Sequence, residues 1–409
     1  MPKKTVDDVN VAGKRVLMRA DFNVPLDASG KITDDRRIEG ALATIRKILE
    51  GGGRLILMSH LGRPDGKPDP QYSLKPVAER LSEILKQEVK LAPDCIGDEV
   101  RQMAESLRDG DCMVLENLRF HEAETIKDKK AKDDPAMRKQ KDDFARALAD
   151  LADVYVNDAF GTCHRDNASM LTVPQKMAGK PRVSGYLIEK ELKFLGEAVS
   201  DPKRPFVVVL GGAKVSDKIG VIDNLLRRCD RILIGGAMAY TFQAADGVAT
   251  GKSKVEPDFK DEAKRMRAEG RDKIKLPLDA VVAVGISSDA ETQCVAGAIP
   301  EGKMGLDIGP ETIRSYEEII TGAATVVWNG PMGVFETPPF DRGTMAIAQA
   351  VAKATDKGAI SVIGGGDSAA AIEKAGLSDR MTHISTGGGA SLEFLEGKPF
   401  APIDVLDDA

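Results

Sequence analysis

Short apolar runs of strand length recur along the whole chain, and each is followed by a longer stretch with helical periodicity. In the first half they fall at Arg15–Arg19, Arg54–Ser59, Cys112–Glu116 and Val154–Asn157. In the second half they fall at Phe206–Leu210, Ile232–Ile234, Ala280–Val284, Thr325–Trp328, Ala359–Ile363 and Thr382–Ser385. Val/Ile/Leu-rich strands alternating with helices predict parallel sheets covered on both faces. Ten strands are too many for one open sheet of usual size. A length of 409 residues likewise suits two or three domains.

The fold expected is therefore α/β, with two doubly wound, Rossmann-like domains. A connection is expected near Lys180–Ser200, where Pro181 precedes an amphipathic helix carrying Leu187, Leu192, Leu195 and Val199, closed by Asp201-Pro202. That helix reads as a hinge.

Composition narrows the function. Hydrophobic residues make up 42%, which excludes global disorder. The net charge of −6 and 4% aromatics argue against a general nucleic-acid binder. No run approaches the ~18 apolar residues of a membrane span, and the N-terminus lacks the apolar core of a signal peptide. Five cysteines and four histidines show neither disulfide nor zinc spacing. A cytoplasmic protein without membrane contact or structural metal is expected.

In open α/β sheets ligands bind beyond the carboxyl ends of the strands. In the first half those ends carry side chains: Asp21-Phe22-Asn23, His60-Leu61-Gly62-Arg63, Asn117-Leu118-Arg119, and Asp158 through His164-Arg165. In the second half they carry glycines: Gly211-Gly212-Ala213-Lys214, Gly235-Gly236, Asn329-Gly330-Pro331, Gly364-Gly365-Gly366-Asp367 and Gly387-Gly388-Gly389. Converging Arg and His side chains suit a small polyanion. Glycines before helices let backbone N–H groups approach phosphates. Each such residue alone is more often a turn or a solvated charge; the clustering is what points to phosphoryl transfer between a small anion and a nucleotide.

Other motifs fail. Gly247 through Ser253 resembles a P-loop but has one residue too few between its glycines and follows no buried strand. Gly364 through Ala369 fits a dinucleotide fingerprint, yet the next strand ends in Ser385-Thr386 where an acid is needed, which argues against a dehydrogenase. The stretch Glu122–Arg146, with 15 charged residues in 25, reads as a solvated helix or loop.

Taken together, Arg19-Ala20-Asp21-Phe22-Asn23-Val24-Pro25, Ser59 through Pro64, Leu115 through Phe120, Asn157 through Thr162, Gly211 through Lys218, Trp328 through Glu336 and Gly364 through Ser368 resemble the phosphoglycerate kinase family over nearly the whole chain. The resemblance implies a two-domain monomer that transfers a phosphoryl group between 1,3-bisphosphoglycerate and MgADP, giving 3-phosphoglycerate and MgATP. It implies a 3-phosphoglycerate domain over 1–184, an interdomain helix over 185–200 and a nucleotide domain over 201–394, with 395–409 packing back on the first.

Carried over by position, the resemblance puts the triose on Asp21, Phe22, Asn23, Arg37, His60, Leu61, Gly62, Arg63, Arg119 and Arg165. It puts the nucleotide on Gly212, Ala213, Lys214, Lys218, Gly235, Gly236, Leu306, Asn329, Pro331, Gly333, Val334, Glu336, Gly365, Gly366, Asp367 and Ser368. Mg²⁺ falls to Asp367 and the ribose to Glu336. Arg37 is the match rather than Arg36, because the family arginine directly precedes an isoleucine. Cys163 stands where the family usually has alanine and could tune sensitivity to oxidation.

The chemistry agrees. The acceptor of 3-phosphoglycerate is a carboxylate, ionised at pH 7, so no general base is required. Phosphoryl transfer needs positive charge around the moving group, which Arg37, Lys214 and Lys218 could supply with the N–H groups near Gly366. A non-catalytic nucleotide or anion sensor on the same scaffold is the alternative. It predicts loss of Arg37, Lys214 or Asp367, and all three are present.

Overall fold

A computed structural model describes residues 2–409, apart from the side chain of Val199. The chain divides into two compact units, Met1–Leu192 with Pro399–Ala409, and Lys193–Lys398.

The first unit holds strands β1 (Arg15–Ala20), β2 (Arg54–Met58), β3 (Val89–Leu91), β4 (Cys112–Val114), β5 (Val154–Asp158) and β6 (Arg182–Ser184). They form one sheet of order β3-β4-β2-β1-β5-β6, parallel throughout. Successive strand side chains point to opposite faces. Val16, Met18, Leu55, Leu57, Val154 and Val156 thus join one core with Ile38, Ala41, Ile45 and Ile48 of the helix Arg36–Glu50. Leu17, Ile56, Met58 and Tyr155 join the other, against Phe144, Ala145 and Leu148 of the helix Pro135–Ala149. Asp134 starts that last helix, accepting from the N–H groups of Ala136 and Met137 at 2.9 and 3.1 Å.

The charged stretch Glu122–Arg146 is not simply solvated. Lys141 is fully buried, its ammonium 2.8 Å from Asp128 and 2.5 Å from the Asp166 carbonyl, and Glu124 is fully buried as well. A charge run conceals such positions because its sequence does not show which face turns inward.

The helix Tyr186–Ser200 begins in this unit, where Oδ1 of Asp158 accepts from Leu187 and Ile188 N–H at 2.9 and 3.2 Å. Gly185 leaves room for that cap, since a Cβ there would lie 2.7 Å from the Asp158 Cβ. Residues 399–409 close the unit. Asp407 donates its N–H to the Arg182 carbonyl (2.8 Å) and accepts at its own carbonyl from Lys4 N–H (2.9 Å), while Asn157 donates to the Pro402 carbonyl (3.3 Å).

The second unit holds β7 (Phe206–Leu210), β8 (Arg231–Ile234), β9 (Ile274–Lys275), β10 (Asp279–Ala283), β11 (Gln293–Ala296), β12 (Met304–Ile308), β13 (Thr325–Asn329), β14 (Ile360–Gly364) and β15 (His383–Ile384). Six of these form a second parallel sheet, β15-β14-β13-β7-β8-β9. The apolar run at Ala280–Val284 does not belong to it. As β10 it sits between β11 and β12 in a separate antiparallel sheet. Apolar content marks a strand but not the direction of its neighbours.

The P-loop lookalike turns its groups back on the chain. Lys252 N–H donates to the Lys303 carbonyl, Ser253 N–H donates to the Thr250 carbonyl, and Ser253 Oγ accepts from Gly305 N–H, at 2.7, 2.9 and 2.9 Å.

In the first sheet strand order reverses between β1 and β5, and in the second between β7 and β13. These are the switch points where loops diverge and leave a crevice.

Candidate functional site

Around the first switch point lies a compact charged cluster. Asp21, one residue past β1, accepts from Asn23 N–H at 3.2 Å and pairs with Arg37 from the first turn of the helix Arg36–Glu50. Gly62 N–H donates to Asn23 Oδ1 at 2.8 Å, and the Gly62 carbonyl accepts from Arg119 Nη1 at 2.7 Å. His60 is 4% exposed, with Nδ1 3.2 Å from Nη2 of Arg19.

Burial by itself would raise the Asp21 carboxyl, but the Arg37 and Arg19 guanidinium groups hold it below the usual carboxylate range. His60 goes the other way. Burial pushes its ring well below the ordinary histidine value; Asp21 opposes this, while Arg19, Arg119 and Arg165 reinforce it. Burial and the neighbouring charges of Arg165 and Arg19 bring Arg119 down to about 10. Its Nε is buried without a hydrogen-bond partner. A buried guanidinium with an orphaned donor, crowded by like charges, is what an anion would relieve.

Not every expected triose residue can contribute a side chain. Phe22 and Leu61 are 0% and 3% exposed and belong to the core, and their N–H groups already go to Ser59 Oγ (2.8 Å) and Asn117 Oδ1 (3.2 Å). Arg63 is exposed and makes no hydrogen bond or ion pair among the described residues. Arg165 places Nε 3.1 Å from Nε2 of His164. Cys163 is fully buried and burial drives its thiol up, away from the reactive thiolate, so the expected sensitivity to oxidation has no structural basis.

The second unit carries two adjoining cavities at its switch point. One, of about 560 Å³, is the more polar of the two and is lined by Gly212, Lys214, Lys218, Asn329, Gly366 and Asp367, among others. Its neighbour, of about 370 Å³, is lined by Gly236, Tyr240, Leu306, Gly333, Val334 and Glu336, among others. Gly212, Ala213, Pro331 and Asp367 line both.

Glycine is required where these loops bend. Gly365 has φ +86° before the helix Gly366–Lys374, and Gly212 has φ +102°, both in the left-handed region. The free N–H groups opening that helix make it receptive to anions. Gly365 and Ser368 also line the polar cavity, and Ser368 Oγ accepts from Gly330 N–H at 2.6 Å. Lys218 is nearly buried and bonds Asn329 Oδ1; burial lowers its ammonium to about 8 against the opposing charges of Asp217, Asp367 and Glu396. Lys214 and Asp367 are exposed and make no hydrogen bond or ion pair among the described residues. Of the expected nucleotide residues, Gly235 lines neither cavity. A Cβ there would lie 3.0 Å from Met332 Cε, so the position has no room for a side chain.

Three features escape sequence reasoning. Tyr240, Lys254 and Ile286 line the second cavity without any motif. Met304 and Gly305 also line it, on the unexpected strand β12. Arg19 is 1% exposed yet lies inside a strand and touches His60. Its charge within an apolar run was the available signal.

The family model for phosphoglycerate kinase matches residues 6–398. Phosphoglycerate kinases of Rhodopirellula baltica and Chlorobium phaeobacteroides are 54% and 55% identical to the chain, each aligned over 100% of both sequences. The solved phosphoglycerate kinase of Coxiella burnetii superposes with a TM-score of 0.86 at 38% identity, and that of Pyrococcus horikoshii with 0.83 at 34%. Both cover 99% of this chain and 98% of their own. The chain therefore belongs to the phosphoglycerate kinase family and is a glycolytic phosphotransferase.

Proposed function

We propose that the chain moves a phosphoryl group directly between 1,3-bisphosphoglycerate and MgADP, with the triose held by the first unit and the nucleotide by the second. The observation that carries this reading is the pair of adjoining cavities joined at Gly212, Ala213, Pro331 and Asp367. One is lined by lysines and glycine-rich backbone, as phosphates require, and the other by Tyr240, Leu306 and Val334, as a base requires. In the first unit the excess of buried guanidinium groups around His60 suits the triose phosphate and carboxylate.

Arg37, Lys214 and Lys218 are assigned to the charge that develops on the moving group, with N–H groups at Gly366 beside them. No proton need be removed, because the acceptor is already a carboxylate. Asp367 suits Mg²⁺: it is an exposed carboxylate on the polar cavity with no hydrogen bond taken among the described residues. Mg²⁺ bound there would neutralise phosphate charge. The two units must come together for transfer, which also excludes water, and the helix Tyr186–Ser200 is the proposed hinge. A cytoplasmic monomer rests on the family resemblance.

Calorimetry on the whole protein tests the division of ligands. Arg119→Ala should weaken 3-phosphoglycerate binding tenfold or more and leave ADP within twofold, whereas Gly365→Val should do the reverse. The opposite pattern would reverse the assignment.

A further inference from the structure

Beneath the triose site a chain of buried hydrogen bonds runs Glu124, Ser169, Arg19, His60, and its direction is set by chemistry. All four residues are at most 4% exposed. Glu124 receives three donors: Ser169 N–H at 2.8 Å, Ser169 Oγ–H at 2.6 Å and Asn167 Nδ2 at 3.3 Å. A carboxylate so surrounded only accepts, so the single hydroxyl proton of Ser169 points to it. The lone pairs of Ser169 Oγ are left for Arg19 Nε–H at 3.0 Å.

Each nitrogen of Arg19 has a partner in turn, with Nη1 on the Ala20 carbonyl and Nη2 on His60 Nδ1. A guanidinium has no acceptor, so His60 Nδ1 must offer its lone pair. Asp21 does not compete for that nitrogen, because its nearest oxygen is 4.0 Å away.

We infer that Glu124 and Ser169 are positioning residues which, through Arg19, hold His60 neutral with its one ring proton on Nε2. The ring then serves the triose site as a fixed hydrogen-bond donor and not as a cation or a proton acceptor. The low basicity that burial gives this ring agrees with the geometry. Glu124 also gives the charged stretch after His121 a purpose, since it anchors the base of the chain. The role at the triose site rests on the functional reading above, but the location of the proton does not.

Long-range ¹H–¹⁵N correlation spectra of the labelled full-length protein at pH 7 read that proton directly. With four histidines in the chain, His60 is identified by the signal lost in His60→Gln. A protonated Nε2 beside an unprotonated, hydrogen-bonded Nδ1 is expected; a proton on Nδ1, or on both nitrogens, overturns the inference. In Ser169→Ala the Nδ1 resonance should move toward that of a free acceptor while the other three histidines stay in place, showing that the fold is kept. The KM for 3-phosphoglycerate should rise about five- to twentyfold with little change in kcat. An unmoved Nδ1 resonance would remove Ser169 and Glu124 from the role. A moved resonance with an unchanged KM would uphold the relay and count against the triose assignment alone.

Discussion

Lys218 reaches across the second switch point to Oδ1 of Asn329, the last residue of β13. The bond places an ammonium, lowered by burial to about 8, on the wall of the polar cavity. Because the protonated form is the one that can stabilise phosphoryl charge, kcat/KM for the nucleotide should fall as pH rises through about 8. Bound phosphate favours the charged form, so the corresponding limb in kcat should lie at higher pH. A pH–rate profile checks both limbs, and Lys218→Arg should abolish the first.

Lys214 differs in being exposed, with no hydrogen bond or ion pair among the described residues. Free to meet the moving phosphoryl group, it should act mainly in the transition state. Lys214→Ala is expected to lower kcat by about 10²–10⁴ with a much smaller change in nucleotide affinity. Steady-state kinetics beside direct ADP titration separate these; an unaltered kcat with a raised KM would assign Lys214 to ground-state binding.

Asp367→Asn keeps an oxygen on the cavity and removes its charge. The Mg²⁺ concentration for half-maximal activity should rise, with maximal rate partly recovered at high Mg²⁺. An unchanged Mg²⁺ dependence would move the metal to another carboxylate.

His60 also makes stability depend on pH. Its folded value is depressed by burial, so below the unfolded value near 6.5 the unfolded chain takes up a proton that the folded one refuses. Stability of the first unit should therefore fall as pH drops below about 6.5, by up to ~1.4 kcal/mol per pH unit from this group. Asp21, also depressed, has the same sign at lower pH: its contribution is present above the unfolded carboxyl value and lost as pH falls through the folded one. Urea unfolding between pH 5 and 7 should show a shallower slope for His60→Gln than for the parent.

Much of this was legible in the chain. The strands that reach the switch points, β1, β5, β7 and β13, are the apolar runs themselves, because burial on both sides favours mainly apolar side chains. The strand-end residues follow from topology, which is why Asp21, His60, Gly212 and Asp367 could be named. What stayed hidden depends on contacts distant in sequence. β3, β6 and β9 are two or three residues long, too short to show a period. β12 was obscured by Asp307, whose carboxylate is buried and accepts from Ile308 and Gly343 N–H at 2.9 and 2.7 Å. Phe22 and Leu61 lie beside the site in sequence, but the alternation of the chain turns their side chains into the core.

The central claim is that two half-sites on separate units act on one phosphoryl group. Basic side chains reach about 6–7 Å, whereas reacting atoms must come within roughly 3–3.5 Å. Either ligand alone makes contacts within one unit, and only both together reward an approach of the units. Solution scattering of the apo protein, each binary complex and the ternary complex measures this directly. The account predicts the smallest radius of gyration for the ternary complex, with the binary complexes close to the apo value. An identical radius in all four states would contradict it.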